Sequence, residues 1–159
     1  MSFKEKGCIR IGSNFWMNNG MAANQIGFGK TPCVLQAIGG KITIGNNVGM
    51  SQTAILAVAD ITIGNNVLMG GGVKIYTSDF HSLNYKDRRD WIADSSQKKS
   101  SPVIIQDDVF IGAGAIILKG VTIGARSIVG AGSVVTKNIP PDEIWAGNPA
   151  RCVKKTKSL

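Results

Sequence analysis

Aliphatic side chains recur along this chain at every sixth position. From Ile105 the series runs through Ile111, Ile117, Ile123, Val129 and Val135 without a break, and an earlier series joins Ile44, Met50 and Leu56. After one extra residue the earlier series resumes at Ile63, Met69 and Ile75. A helix repeats its apolar face about every 3.6 residues and a half-buried strand every second residue, so a period of six belongs to neither alone. It fits a solenoid in which three short strands and three tight corners make one triangular coil of about 18 residues. The aliphatic position points into the prism, and the Gly, Asn and Asp residues that follow it suit corners with left-handed backbone angles, as in IGNN at 44–47 and 63–66. A β-sandwich also alternates, but alternation does not hold a six-residue phase for so long.

The pattern predicts an all-β chain forming one domain over 1–159. Irregular coils occupy 9–43, where Ile11, Met17 and Ile26 continue the theme imperfectly, and regular coils occupy 44–80 and 103–140. A loop is inserted at 81–102, and a tail follows from 141 to 159. A chain of 159 residues is enough for one core of this kind.

Insertions are how a repetitive surface acquires a specific pocket. The stretch DFHSLNYKDRRDWIADSSQKKSSP carries the chain's one histidine, His81, with Tyr85 and Trp91. Histidine titrates near neutrality, which suits it to take a proton from an alcohol and return one to a leaving group. Asp79, two residues earlier, is a candidate to orient the imidazole, and a surface histidine without function is the competing reading. The tail leaves the coils through Pro140 and Pro141, which cannot continue strand pairing. It carries Arg151, Lys154, Lys155 and Lys157, either a solubilising end or a clamp for phosphates.

Charge narrows the partners. Eighteen Lys and Arg against ten Asp and Glu give a formal charge of +8, which attracts an anionic partner: nucleic acid, a polyanionic glycan or a phosphorylated cofactor. No basic stripe interleaved with aromatics runs along the coils, which disfavours nucleic acid. Cys8, Cys33 and Cys152 are odd in number and far apart, and read as free thiols in a reducing compartment. No apolar run approaches the roughly 18 residues of a membrane span, so a soluble cytoplasmic protein is expected. A catalytic zinc held by three histidines is excluded by the single histidine.

The stretch PVIIQDDVFIGAGAIILKGVTIGARSIVGAGSVVTKNIPPDEIWAGNPARCV at 102–153, with the earlier coils and the histidine loop, resembles the hexapeptide-repeat acyltransferases over 44–154. Within them it is similar to the maltose, galactoside, nodulation-factor and polysaccharide O-acetyltransferases. The resemblance implies a left-handed parallel β-helix, acetyl-CoA as cosubstrate without a metal, and a homotrimer with each active site between two subunits. It implies that His81 is the general base for transfer to a sugar or polysaccharide hydroxyl, by direct attack on the thioester. Ser51 or Gln52 then stands near the acceptor, with Asp79, Tyr85, Trp91 and Phe110 as further acceptor-side candidates; Trp91 either forms a platform for a sugar or anchors the loop to a neighbouring subunit. Phe110 replaces a Trp frequent in the sugar enzymes, losing the indole donor. On the cofactor side the resemblance points to Gly112, Ala113, Gly130 and Ala131 along the pantetheine arm. Thr136, Lys137, Arg151 and Lys154 are placed near phosphates, and Ile123 and Pro141 beside adenine. The acceptor is a sugar, nucleotide sugar or glycan. An N-acetyltransferase of an amino sugar, or acylation of another small acceptor, keeps the same fold, and a binding solenoid without catalysis is the remaining reading.

Overall fold

A computed structural model describes residues 7–20 and 31–156. Ile26 and Lys157 lie outside the described residues. The chain winds through three parallel sheets in turn, and five coils are built this way. They comprise β1 (Ile9–Ile11), β2 (Trp16–Asn18) and β3 (Val34–Ala37); β4 (Ile42–Ile44), β5 (Gly49–Ser51) and β6 (Ala54–Ala57); β7 (Ile61–Ile63), β8 (Leu68–Met69) and β9 (Lys74–Tyr76); β10 (Val103–Ile105), β11 (Phe110–Ile111) and β12 (Ile116–Ile117); and β13 (Thr122–Ile123), β14 (Ile128–Val129) and β15 (Val134–Val135). The first strand of each coil joins the first sheet, the second the second and the third the third.

Register explains the six-residue period. Ile44, Ile63, Ile105 and Ile123 pair in succession across the first sheet, and Met50, Met69, Ile111 and Val129 across the second. All eight are buried in one continuous core. Stacking like on like removes each aliphatic side chain from water, at about 1.5–3 kcal/mol per residue.

One phase assignment is corrected. In β6 the inward residues are Ile55 and Ala57, both fully buried, while Leu56 is half-exposed on the outer face beside Tyr76. Only Ser51 to Ala54 separate Met50 from Ile55, whereas Gly70 to Lys74 separate Met69 from Ile75. The shorter corner turns at Gln52, whose φ of 47° does what Gly72 does with 72° one coil later.

Between the first and second sheets the corner residue is left-handed in each of the five coils and once beyond them: Asn14, Asn47, Asn66, Asp108 and Arg126, then Asp142, have φ of 53°, 56°, 57°, 60°, 61° and 62°. Asn14, Asn47 and Asn66 each donate a side-chain amide to the next oxygen along the column, at 2.9, 3.0 and 3.0 Å. Arg126, an unfavourable type for this geometry, is held by two bonds to Asp142 at 2.6 and 2.7 Å.

Beyond the fifth coil Ile139 bridges to Ile123 in the first sheet, and β16 (Glu143–Gly147) adds to the second sheet parallel to β14. β17 (Ala150–Lys155) folds back antiparallel on β16, so the tail is built onto the prism. The insert leaves the third sheet after β9. Its root is pinned by the Asp79 N–H donating to Lys99 O at 3.0 Å and the Ser101 N–H to Thr77 O at 3.0 Å. It contains a 3-10 turn at Asp87–Arg89 and α1 (Trp91–Gln97), capped by Asp90 Oδ1 accepting from the Ala93 N–H at 2.8 Å.

Candidate active site

His81 stands just outside the prism, at the edge where the chain passes from the third sheet to the first. Its side chain is 67% exposed, and its Nδ1 lies 2.6 Å from Asp94 Oδ2. Asp94 is the one buried residue of α1, and its Oδ1 accepts from the Ser82 N–H at 2.7 Å. The bond from His81, then that from Ser82, hold the Asp94 carboxyl below the usual carboxylate range against the opposing effect of burial. An ionised carboxylate only accepts, so the proton between the pair sits on Nδ1. In the neutral ring that tautomer makes Nε2 the nitrogen that carries the lone pair.

Asp79 does not orient the imidazole, which corrects the expectation from its proximity in sequence. Its Oδ1 pairs with Lys119 Nζ at 2.9 Å, and its Oδ2 is buried without a hydrogen-bond partner. Asp94 takes the orienting role because the insert doubles back through α1. The sequence offered Asp79, Asp87, Asp90 and Asp94 in or beside the insert, and nothing in their spacing selects among them.

The other candidates divide between different edges of the prism. Thr136 and Lys137 follow β15 at the same edge as His81, both exposed, with Lys119 one coil nearer. Ser51 and Gln52 lie at the edge between the second and third sheets, where Ser51 Oγ accepts from Asn18 Nδ2 at 3.1 Å. Gly112, Ala113, Gly130 and Ala131 continue that edge. A Cβ on Gly112 would stand 2.5 Å from Ala131 N, and one on Gly130 2.9 Å from Ala146 Cβ, so stacking alone already demands glycine at both. Phe110 faces outward on the second sheet, paired with Leu68 and Ile128. Arg151 and Lys154 are exposed on β17 of that sheet, with Arg151 Nη1 donating to Ala150 O at 2.9 Å. Within one chain, His81 and this second group do not meet.

Ile123 is corrected: it is fully buried inside the prism, in register between Ile105 and the Ile139 bridge, and cannot touch a ligand. Pro141 stacks against Gly124 at the edge between the first and second sheets, on neither of the two edges above. On the insert, Tyr85 lies under the Arg89 guanidinium at 5.2 Å, and Trp91 is 80% exposed. Among the described residues no group of three or more His, Cys, Asp or Glu side chains is arranged to hold a metal ion, and no helix is long and apolar enough to cross a membrane.

Residues 102–137 match the family model for the bacterial transferase hexapeptide (six repeats). The chain is 34% identical to a hexapeptide-repeat-containing acetyltransferase from Vibrio cholerae O1 biovar eltor solved with acetyl coenzyme A, covering 91% of this chain and 72% of that one at a TM-score of 0.69. A maltose O-acetyltransferase from Clostridium difficile 630 is also 34% identical, with 94% and 68% covered and a TM-score of 0.71. The galactoside O-acetyltransferase of Escherichia coli (strain K12) is 32% identical over 146 residues, 91% of this chain and 63% of that enzyme. The chain spans 47% to 63% of the length of three curated relatives that it matches. The left-handed parallel β-helix is the fold that it shares with its structural neighbours.

Proposed function

The chain belongs to the hexapeptide-repeat acetyltransferase family, and on that premise we propose that it moves an acetyl group from acetyl-CoA to a hydroxyl of a sugar or polysaccharide precursor, with His81 as general base. The observation that carries this reading is the His81–Asp94 pair, a largely exposed imidazole whose Nδ1 is committed to a buried carboxylate, which leaves Nε2 as the ring nitrogen for the acceptor. Nε2 takes the proton of the acceptor hydroxyl as its oxygen attacks the thioester carbonyl. That attack forms the new C–O bond; collapse of the tetrahedral adduct restores the carbonyl and breaks the C–S bond, and the imidazolium returns its proton to the departing CoA sulfur. Direct transfer is favoured because the neighbouring hydroxyl, Ser82 Oγ, belongs to a residue only 4% exposed and donates to Asp87 Oδ2 at 2.7 Å rather than to His81.

The division of candidates between two edges supports an active site shared by copies of the chain, as in a homotrimer. One copy contributes His81, and its neighbour contributes the small-residue edge of Gly112, Ala113, Gly130 and Ala131 with Arg151 and Lys154 for the phosphates of acetyl-CoA. Holding both substrates between two prisms then supplies orientation.

Release of free CoA from acetyl-CoA, followed across neutral sugars, amino sugars and nucleotide sugars with wild type and His81→Ala, tests the proposal. Acceptor-dependent release that falls about 100-fold or more in a correctly assembled His81→Ala supports it. Acetyl-CoA failing to bind, or release undiminished in the variant, would overturn it.

A further inference from the structure

Ser82 is 4% exposed, although it lies in a polar insert beside an exposed histidine. Each of its polar groups is held from within that insert. Its N–H donates to Asp94 Oδ1 at 2.7 Å, its carbonyl accepts from Arg88 Nη1 at 2.6 Å, and its Oγ donates to Asp87 Oδ2 at 2.7 Å. The Asn84 N–H donates to the same Oγ at 3.1 Å, and Asn84 Nδ2 to Asp87 Oδ1 at 3.1 Å, so both Asp87 oxygens are engaged.

We propose that Arg88 and Asp87 are positioning residues, which act on the reaction through Ser82 by fixing the backbone that carries His81. The proposal rests on the reading of His81 as base. Within its own chain the ring is not held by packing, since its side chain is 67% exposed, so what that chain contributes to its aim is the bond to Asp94 and the backbone beneath it. The carboxylate that holds the ring also holds the Ser82 N–H, which belongs to the peptide joining His81 to Ser82. Arg88 pins the next peptide through its carbonyl. A clamp on both peptides fixes the relation between His81 and Asp94, whereas losing the Arg88 bond leaves a buried carbonyl without its donor and favours a shift of the segment. The competing role for Arg88, an exposed residue, is binding an anionic acceptor; its Nη1 is engaged with Ser82 O at 2.6 Å, and the kinetics below separate the two roles.

The test compares Arg88→Ala, Arg88→Lys and Asp87→Asn by steady-state kinetics and by the NMR ring signals of His81, which need no assignment because the chain has one histidine. Arg88→Ala is expected to lower kcat about 10- to 100-fold with both KM values within about twofold, since misplacing a reacting group costs rate rather than affinity. Arg88→Lys should recover part of the loss. In Arg88→Ala and Asp87→Asn the ring signals should move toward their positions in Asp94→Asn. Ring signals that stay at wild-type positions in both variants would overturn the clamp, as would a loss confined to acceptor KM, which makes Arg88 a binding residue. If Arg88→Ala misfolds, Asp87→Asn preserves side-chain size and carries the same readout. Should the wild type transfer no acetyl group, the base reading fails, while the ring signals still decide whether the clamp exists.

Discussion

Asp94 accepts hydrogen bonds from His81 and from the next backbone N–H, and that double use makes it the most consequential acid in the insert. If His81 is the base, as proposed, Asp94→Asn retains the shape but removes the charge that would stabilise the imidazolium, and kcat is expected to fall about 10- to 1,000-fold at unchanged acetyl-CoA affinity. The same pair has a pH signature. Because the folded carboxyl lies below its ordinary value, mainly through His81, the stability it contributes is present above that ordinary value and is lost as pH falls through the lowered one. Thermal unfolding of wild type and Asp94→Asn should therefore differ at neutral pH, and the difference should begin to shrink only as pH falls below about 4. His81 stands out in the sequence as a candidate because it is the chain's one histidine and follows a break in the repeat. Its partner does not, since choosing Asp94 over Asp79 requires knowing that α1 folds back across thirteen residues to meet the ring.

The coils were legible as elements because every inward position pays into one stack, so the period of burial is written directly in the residue types. The phase slip at β6 was not, because Leu56 and Ile55 are both aliphatic and only the left-handed Gln52 shortens the corner. Ile55→Ala is expected to cost about 2–5 kcal/mol of unfolding free energy and Leu56→Ala less than half of that, measured by denaturant unfolding. Equal costs, or the reverse order, would restore Leu56 to the interior. Helix α1 escaped notice for a related reason. Trp91 and Ile92 are 80% and 75% exposed, and only Asp94 is buried, so the helix has no apolar face for periodicity to reveal. Its cap on Asp90 and the anchor of Asp94 hold it instead.

For the whole molecule, the two separated edges make a prediction about assemblies. Ala131→Trp fills the small-residue edge and leaves His81 intact; His81→Ala does the converse. Each variant alone should be inactive, while reassembling them in equal amounts should recover about a quarter of wild-type activity, as random mixing at a site between two subunits requires. No recovery in assemblies verified as mixed would place each site within one chain. The antiparallel bridge of Ser78 with Ser100 closes the root of the insert at the edge between the third and first sheets, and the internal bonds of the insert draw on its own residues: Asp87, Arg88 and Asp94 all answer to Ser82 and His81. Such a segment behaves as a portable cassette. On the proposed function, its exposed residues can change without disturbing the pitch of the prism beneath, so chemistry and scaffold are free to vary independently.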